Sequence, residues 1–186
     1  AAGEVVFALE GNPSGSTIPL GSRGVNYLQF RVKTVSGEAT LDSLKFSRTG
    51  VGTAGDFANV YLYEGAVRLK SGKTISSDSN TVEFTALAIK VDTTGKLITV
   101  RTDIAAAATA NNQHTLSIAS SNDVSTTAGK VSGLPLSSAQ FSIGAVAVGT
   151  VTLAIVSTIS GPTLGSSNVE CGNFRVTAGA NDIQME

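Results

Sequence analysis

The segment Leu20–Asp42, LGSRGVNYLQFRVKTVSGEATLD, decides the fold class, and it returns near the end of the chain. The second copy is Leu164–Glu186, LGSSNVECGNFRVTAGANDIQME, which aligns without a gap at an offset of 144 residues (174 − 30). Phe30-Arg31-Val32 falls on Phe174-Arg175-Val176. Because apolar and polar residues alternate around Phe30, the segment has the period of a β-strand with one buried face. The sequence predicts one complete β-unit followed by the opening of a second.

The repetition extends backwards along the chain. Val5–Leu9, with the same alternation, precedes a Gly-, Pro- and Ser-rich linker at residues 11–22. Val151–Ile155 precedes a similar linker at residues 157–167 in the same way. Because Gly and Pro break regular structure, each linker is expected to leave its strand on a flexible connection. Both copies are therefore predicted to contain a terminal strand, a linker and a Phe-Arg-Val strand.

The composition argues against several classes of function. The chain of 186 residues is 41% hydrophobic and 15% charged, and its net charge of −1 gives little attraction for nucleic acid or an anionic membrane. Its longest apolar run, Ala145–Val156, is shorter than the roughly 18 residues that a membrane-spanning helix needs. The single cysteine cannot form a disulfide within the chain. We expect a protein of the extracellular or cell-surface type, without a cofactor.

Strand-like segments recur roughly every 8 to 12 residues, with turn signals between them and no helical periodicity. The predicted strands are residues 5–9, 25–35, 39–48, 57–64, 66–70, 81–91, 97–104, 116–119 and 141–156. This pattern predicts an all-β fold, an antiparallel sandwich of two sheets with an extra strand at each end. The predicted division is an N-terminal strand and linker (1–24), a main sandwich (25–156), and a linker with a partial repeat (157–186).

The middle of the chain resembles a known family of repeat domains. The segments concerned are Leu41–Gly50 (LDSLKFSRTG), Asp56–Gly65 (DFANVYLYEG), Arg68-Leu69 and Leu97–Ile104 (LITVRTDI). They resemble repeat domains of large bacterial cell-surface and surface-layer-like proteins, over roughly residues 25–156. The resemblance implies an immunoglobulin-like β-sandwich that serves as a structural module outside the cell and has no catalytic residues.

The sequence offers few residues for catalysis. His114, the only histidine, is predicted to be a solvated loop residue, since no GxSxG nucleophile motif accompanies it. Cys171 could in principle pair with His114 as a nucleophile, but a small buried side chain is favoured, with a disulfide between chains as a further option. The glycine-rich loop at residues 49–55 lacks the Lys-Ser/Thr pair of a phosphate-binding loop. We expect no enzyme.

Two kinds of non-catalytic site are also considered. Aspartates near turns suggest Ca²⁺, but none has the spacing of a calcium-binding loop, so no metal site is predicted. These aspartates are Asp56, Asp78, Asp123 and Asp182. Lys45 is the candidate for a covalent Lys–Asn or Lys–Asp cross-link, and an outward-facing strand lysine is the alternative.

The terminal strand suggests how the chain would assemble. A sandwich that lacks a strand exposes unpaired backbone groups and an apolar groove, which proteins avoid by covering the edge. Val5, Phe7 and Leu9 are predicted to fill such a groove in a neighbouring copy by donor-strand complementation, and an edge strand of its own domain is the alternative. Head-to-tail contacts that do not close produce filaments or lattices. The sequence therefore predicts a homopolymer, either an extracellular filament or a surface layer.

Two other functions stay open. The chain would equally be a piece of a tandem-repeat cell-surface protein, with residues 168–186 as the start of the next domain. The third interpretation is a carbohydrate-binding or adhesive module whose partners are cell-wall or surface glycans. Its candidate contacts are Tyr27, Tyr61 and Tyr63, although the aromatic content is only 5% and tryptophan is absent.

Overall fold

The structure is a computed structural model that describes residues 3–147, 149, 151–157, 161, 164–167, 169 and 172–179. Over these residues the regular structure consists of sixteen β-strands and two single-turn 3-10 helices, without an α-helix. The prediction of an all-β chain is confirmed. In chain order the strands are β1 (Glu4–Leu9), β2 (Thr17–Leu20), β3 (Val25–Thr34), β4 (Ala39–Thr49), β5 (Phe57–Glu64), β6 (Val67–Arg68), β7 (Thr81–Phe84), β8 (Ile89–Val91), β9 (Lys96–Ile104), β10 (Gln113–Ile118), β11 (Val124–Thr126), β12 (Lys130–Ser132), β13 (Leu136–Ser137), β14 (Phe141–Ala147), β15 (Val151–Ser157) and β16 (Asn173–Ala178).

The chain divides into two units, Ala1–Ala147 and Val148–Glu186. The first unit contains a six-stranded sheet in the order β12-β1-β3-β9-β5-β6. It also contains an eight-stranded sheet with the path β11-β4-β10-β14-β2, where β7 and β8 pair with β4 and β13 pairs with β10. Pairing is antiparallel, as predicted, except that β1 with β12 and β14 with β2 are parallel.

The two sheets of the first unit pack over one apolar core. Phe30 of β3 and Phe46 of β4 belong to different sheets, and their ring centroids are 6.5 Å apart. Tyr27 of β3 packs against Phe141 of β14 with a centroid separation of 4.3 Å. Side chains of the two sheets therefore meet directly, and the first unit has a sandwich-like architecture.

The Phe-Arg-Val strand is built as its alternation predicts. Phe30 and Val32 are fully buried in the core. Arg31 lies on the outer face of the six-stranded sheet, where its Nε and Nη2 atoms each donate a 2.6 Å hydrogen bond to the carboxylate of Glu10. This triplet therefore joins a buried face to a solvated face, and the same three residue types recur in the sequence at residues 174–176.

The N-terminal strand is an interior strand of its own sheet. β1 pairs with β3 on one side and with the short strand β12 on the other, so it lies in its own domain, as the alternative interpretation expected, but it is not an edge strand. Val5 and Phe7 are each 1% exposed, whereas Leu9, at the end of the strand, is 47% exposed. A donor role for these three residues stays a prediction, and it would require β1 to leave the sheet that it occupies here.

The first linker contains a strand that the sequence did not predict. Thr17–Leu20 forms β2 and pairs with β14 at the end of the eight-stranded sheet. Pro19 lacks a backbone N–H, and a strand with only one neighbour tolerates that loss. Ile18 is buried and anchors β2 to the core. Residues 1–24, predicted as a separate strand and linker, thus supply two strands of the first unit.

Two long predicted strands are each divided in the structure. Residues 81–91 form β7 and β8, because Ala86 and Ala88 have φ values of +53° and +52°, which interrupt extended backbone. Residues 141–156 include β14 and the greater part of β15, and the boundary between the two units falls between these strands. β15 therefore does not belong to the main sandwich in which the sequence placed it.

Replacement of Phe30 by alanine is expected to destabilise the first unit by about 3 to 5 kcal/mol, because it removes a fully buried ring and leaves a cavity. The matched control is Phe174→Ala, at the repeated position. Its ring is 67% exposed, so the expected change is within about 0.5 kcal/mol. Urea unfolding of the full chain, at a concentration where it is monomeric, measures both. An equal loss of unfolding free energy in the two variants would contradict the buried position of Phe30 and the exposed position of Phe174.

Candidate functional site

The most buried polar cluster of the first unit surrounds His114 on β10. Its ring is 0% exposed and accepts a 2.8 Å hydrogen bond from Arg48 at Nδ1. On the other side Nε2 donates to Asp56, 2.9 Å away. Because Arg48 can only donate, the ring is the neutral tautomer that carries its proton on Nε2. The predicted solvated loop position of His114 is therefore wrong.

The charges of this cluster are balanced by burial and hydrogen bonds. Burial lowers the pKa of His114, the positive charge of Arg48 lowers it further, and the carboxylate of Asp56 opposes both. For Asp56, burial alone would raise the pKa. Hydrogen bonds from the Thr109 backbone, the Asn112 side chain, the Thr53 backbone and His114 outweigh that effect and lower the pKa of Asp56. The cluster thus holds a neutral imidazole beside an ionised carboxylate.

The geometry of the cluster fits a structural role. Both ring nitrogens of His114 already have protein partners, and the ring is sealed from solvent, so it cannot take a proton from a bound substrate. The glycine-rich loop closes over it. Gly52 has φ +133°, and a Cβ added there would lie 2.6 Å from the imidazole Cε1. Gly52 therefore allows the loop to pack closely against the histidine.

Thermal stability is expected to fall as the pH is lowered from about 7.5 to about 5.5. Burial holds the folded-state pKa of His114 below the ordinary histidine value of about 6.5, so in this window the unfolded chain binds the proton more readily than the folded chain. The decrease in stability ends once the pH falls below the pKa that His114 has in the folded chain. The chain has one histidine, so His114→Gln should flatten the profile across this window. Differential scanning calorimetry of both proteins measures the effect, and an unchanged slope in the variant would contradict it.

Lys45, the cross-link candidate, forms an ion pair. Its Nζ lies 2.7 Å from Oδ1 of Asp123. The hydrogen bond to Asp123, together with its negative charge, raises the pKa of Lys45. Burial would raise the pKa of Asp123, but hydrogen bonds from Lys45 and Ser120 outweigh burial and lower it. Amide formation needs a neutral amine and an uncharged carboxyl group, and the site stabilises the opposite forms of both.

We therefore expect the intact mass of the purified chain to equal the mass of its sequence. A Lys45–Asp123 amide would remove one water molecule and would be detected at once by intact-mass spectrometry. Lys45→Ala serves as the control, since it cannot form the bond and must show only the mass of the substitution. A water-sized deficit in the wild type that disappears in this variant would contradict the assignment as an ion pair.

Among the described residues, the aspartates that the sequence predicts near turns do not come together as a metal site. Asp56 and Asp123 are engaged as described above, and in the described part of the chain no three His, Cys, Asp or Glu residues cluster as metal ligands. Asp182 and Cys171 lie outside the described residues. The described residues also contain no helix of the length and hydropathy needed to cross a membrane.

The three tyrosines occupy two different environments. Tyr27 is a core residue, 1% exposed, so it cannot contact a sugar on the surface. Tyr61 and Tyr63 share one face of β5, with ring centroids 6.5 Å apart. Arg68 lies over the ring of Tyr61 at 5.6 Å and Arg101 over that of Tyr63 at 4.4 Å. Guanidinium groups therefore occupy ring faces on which a sugar would stack.

The second unit repeats the first strand pair of the first unit, register for register. In the first unit, the pairs between β1 and β3 are Val5–Thr34, Val6–Lys33, Phe7–Val32, Ala8–Arg31 and Leu9–Phe30. The corresponding pairs between β15 and β16 are Val151–Ala178, Thr152–Thr177, Leu153–Val176, Ala154–Arg175 and Ile155–Phe174. β15 follows β1 by 146 residues (151 − 5) and β16 follows β3 by 144 (174 − 30). The connection is two residues shorter in the second unit, and a register shift there is followed by a sixth pair, Ser157–Asn173.

One face of this hairpin is entirely apolar. Directly opposed residues of an antiparallel pair lie on the same face. The apolar face therefore consists of Val151, Leu153, Ile155, Phe174, Val176 and Ala178. Leu153 and Phe174 are each 67% exposed, whereas their counterparts Phe7 and Phe30 in the first unit are buried. The face that forms core in the first unit is open in the second.

The edges of the hairpin are also without strand partners among the described residues. β15 and β16 form a two-stranded sheet, whereas β1 has β12 as a further neighbour and β3 has β9. An isolated two-stranded hairpin is marginally stable in water. Burial of a large apolar side chain contributes about 1.5 to 3 kcal/mol, so covering this face would be strongly stabilising. We identify the apolar face of β15–β16 as the candidate functional site.

Comparison of the chain with protein-family models, with curated proteins and with solved structures finds no match.

Proposed function

We propose that this protein is a non-enzymatic structural subunit whose units join by β-strand complementation into an extracellular filament or a surface layer. The junction is the β15–β16 hairpin. The immunoglobulin-like class implied by the resemblance to cell-surface repeat domains is part of the proposal, as is the location outside the cell.

The observation that carries the proposal is the open apolar face of the hairpin. Its residues repeat the core-facing residues of β1 and β3 at the same register, but its largest side chains are exposed. A contiguous apolar face that is exposed marks a site of protein–protein contact. A sheet of the kind that covers β1 and β3 in the first unit would match it in shape and polarity.

The same observation favours the hairpin over the N-terminal strand as the junction. Val5 and Phe7 already fill the core of their own unit, so β1 can join a neighbour only by leaving it. The hairpin offers apolar surface without any such rearrangement. A contact between the hairpin of one chain and a different surface of the next is head-to-tail, and contacts of this type extend into filaments or lattices unless a rotation closes them.

The tandem-array interpretation uses the same site in a different way. There, successive sandwiches belong to one polypeptide, and the hairpin opens the next one. The low charged fraction and the absence of attraction to nucleic acid or anionic membranes support a structural role in either arrangement. The adhesive-module interpretation has no comparable support, because arginine side chains cover the two surface tyrosines.

Self-assembly of the chain is expected to depend on the apolar face of the hairpin. Leu153→Asp combined with Phe174→Asp places two charges on that face, and their desolvation should prevent assembly. The matched control is Ala154→Asp with Thr177→Asp, which places two charges on the other face at positions that, like Leu153 and Phe174, are not directly opposed. Sedimentation velocity over a concentration series and negative-stain electron microscopy measure the outcome.

The wild type and the control pair are expected to form ordered polymers, and the apolar-face variant is expected to stay monomeric. A wild-type chain that remains monomeric at every concentration would refute assembly from separate chains. Polymers that form equally well from the apolar-face variant would refute the hairpin as the junction.

A further inference from the structure

A cavity of about 240 Å³ lies at one end of the outer face of the six-stranded sheet, within the first unit. Its walls come from the turn between β2 and β3, the beginning of β5 and the residues that follow β9. The volume is below the roughly 300 to 1,000 Å³ of sites for drug-sized ligands, so the cavity suits a small molecule. Its polar lining residues are Arg23, Asn59, Tyr61 and Asp103.

The carboxylate of Asp103 is held in a fixed orientation at this cavity. The backbone N–H of Gly24 donates a 2.8 Å hydrogen bond to Oδ1, and the hydroxyl of Tyr61 donates one of 2.8 Å to Oδ2. The hydrogen bond to Asp103 raises the pKa of Tyr61, so the hydroxyl keeps its proton at neutral pH. A carboxylate has about four lone-pair positions, so two remain to accept hydrogen bonds from a ligand.

The walls of the cavity are joined by backbone hydrogen bonds. The N–H of Ile104 donates to the carbonyl of Ser22, 2.8 Å away, and thereby ties the turn before β3 to the end of β9. The N–H of Ala105 donates to the carbonyl of Asp56, 2.9 Å away. Asp56 in turn belongs to the buried cluster around His114. The cavity is therefore preformed, which lowers the ordering cost of binding.

Two further polar groups at the cavity have unused hydrogen-bonding capacity. In the part of the chain that the structure describes, the side chains of Arg23 and Asn59 form no hydrogen bond or ion pair. Asn59 stands directly opposite Asp103 in the pairing of β5 with β9, so both side chains lie on the outer face. Arg23 and Asp103 line one cavity without pairing with each other. A cation, an amide and an anion therefore converge there.

We propose that this cavity is a binding site for a free α-amino acid with a small apolar side chain. The guanidinium of Arg23 binds the α-carboxylate, for which its planar donors are suited. The carboxylate of Asp103 accepts hydrogen bonds from the α-ammonium, and the amide of Asn59 adds a further polar contact. Ala58 and Ala106 line the cavity beside the ligand's side chain.

The charges at the cavity select the chemical class of the ligand. One positive and one negative side chain match the two charges of an amino acid, whereas a ligand with a single charge leaves one of them without a partner. In a peptide the ammonium and the carboxylate stand at opposite ends, so only a free amino acid brings both into one small cavity. The site is separate from the β15–β16 hairpin, and the inference does not depend on assembly.

Isothermal titration calorimetry of the full chain with L-valine tests the proposal. Two matched ligands each lack one of the charges: 3-methylbutanoate has no ammonium group, and isobutylamine has no carboxylate. Each is expected to bind at least about tenfold more weakly than L-valine, because it loses a hydrogen bond between charged groups.

A pair of variants tests the role of Arg23. Arg23→Gln is expected to weaken the binding of L-valine at least about tenfold, since it removes the charged partner of the carboxylate. The matched control is Lys33→Gln, which removes another exposed positive charge from the outer face of β3. Lys33 lies nine residues from Gly24 (33 − 24), or about 30 Å at about 3.4 Å per residue, and salt screens a charge at that distance. Its variant is expected to stay within about twofold of the wild type.

Tight binding of L-valine, lost with either matched ligand and in Arg23→Gln but kept in Lys33→Gln, would support the site. The proposal is overturned if L-valine shows no saturable binding at millimolar concentrations. It is also overturned if 3-methylbutanoate or isobutylamine binds as tightly as L-valine, or if Arg23→Gln leaves the affinity unchanged. Circular dichroism checks the fold of Arg23→Gln, and isobutylamine tests the same contact without a substitution. A monomeric chain that binds L-valine would refute assembly alone, and a polymer that does not bind it would refute this site alone.

Discussion

The pairing of β1 with β3 is the constraint on which the rest of the structure depends. It brings Val5 and Phe7 from the beginning of the chain beside Phe30 and Val32, and these four side chains form one wall of the core. The opposite sheet then packs onto that wall through Phe46. The same strand pair occurs again as β15 and β16, where the opposite sheet is missing from the described residues. One interaction thus explains both a stable unit and an open surface.

The sequence predicted what depends on local alternation and on repetition. The strand period around Phe30 and the second copy at Phe174 are visible without coordinates, and both describe the strands that the structure contains. The prediction failed for β2, because Pro19 and the neighbouring glycines and serines have the composition of a linker. Here a position at the end of a sheet overrides local propensity, since only one side of the strand needs hydrogen bonds.

The environment of His114 was not predictable, because its partners come from distant parts of the chain. Arg48 and Asp56 precede it by 66 and 58 residues, and neither belongs to a motif with it. The strands of the hairpin, by contrast, were predictable from the repeat. The sequence located the junction at the N-terminal strand, because alternation alone cannot show which of two similar strands already has a covered face. That distinction required the burial of Phe7 and the exposure of Leu153.

The ion pair between Arg31 and Glu10 has a consequence for folding fidelity. Polypeptides that contain near-identical strands are prone to mispairing, in which a strand from one copy enters the sheet of another. If β15 replaced β1 beside β3, Val156 would stand where Glu10 accepts two hydrogen bonds from Arg31. The guanidinium would lose its carboxylate, so the incorrect strand would be disfavoured relative to the correct one. The carboxylate of Glu10 is thereby one of the differences between the two strands that favour β1 as the neighbour of β3.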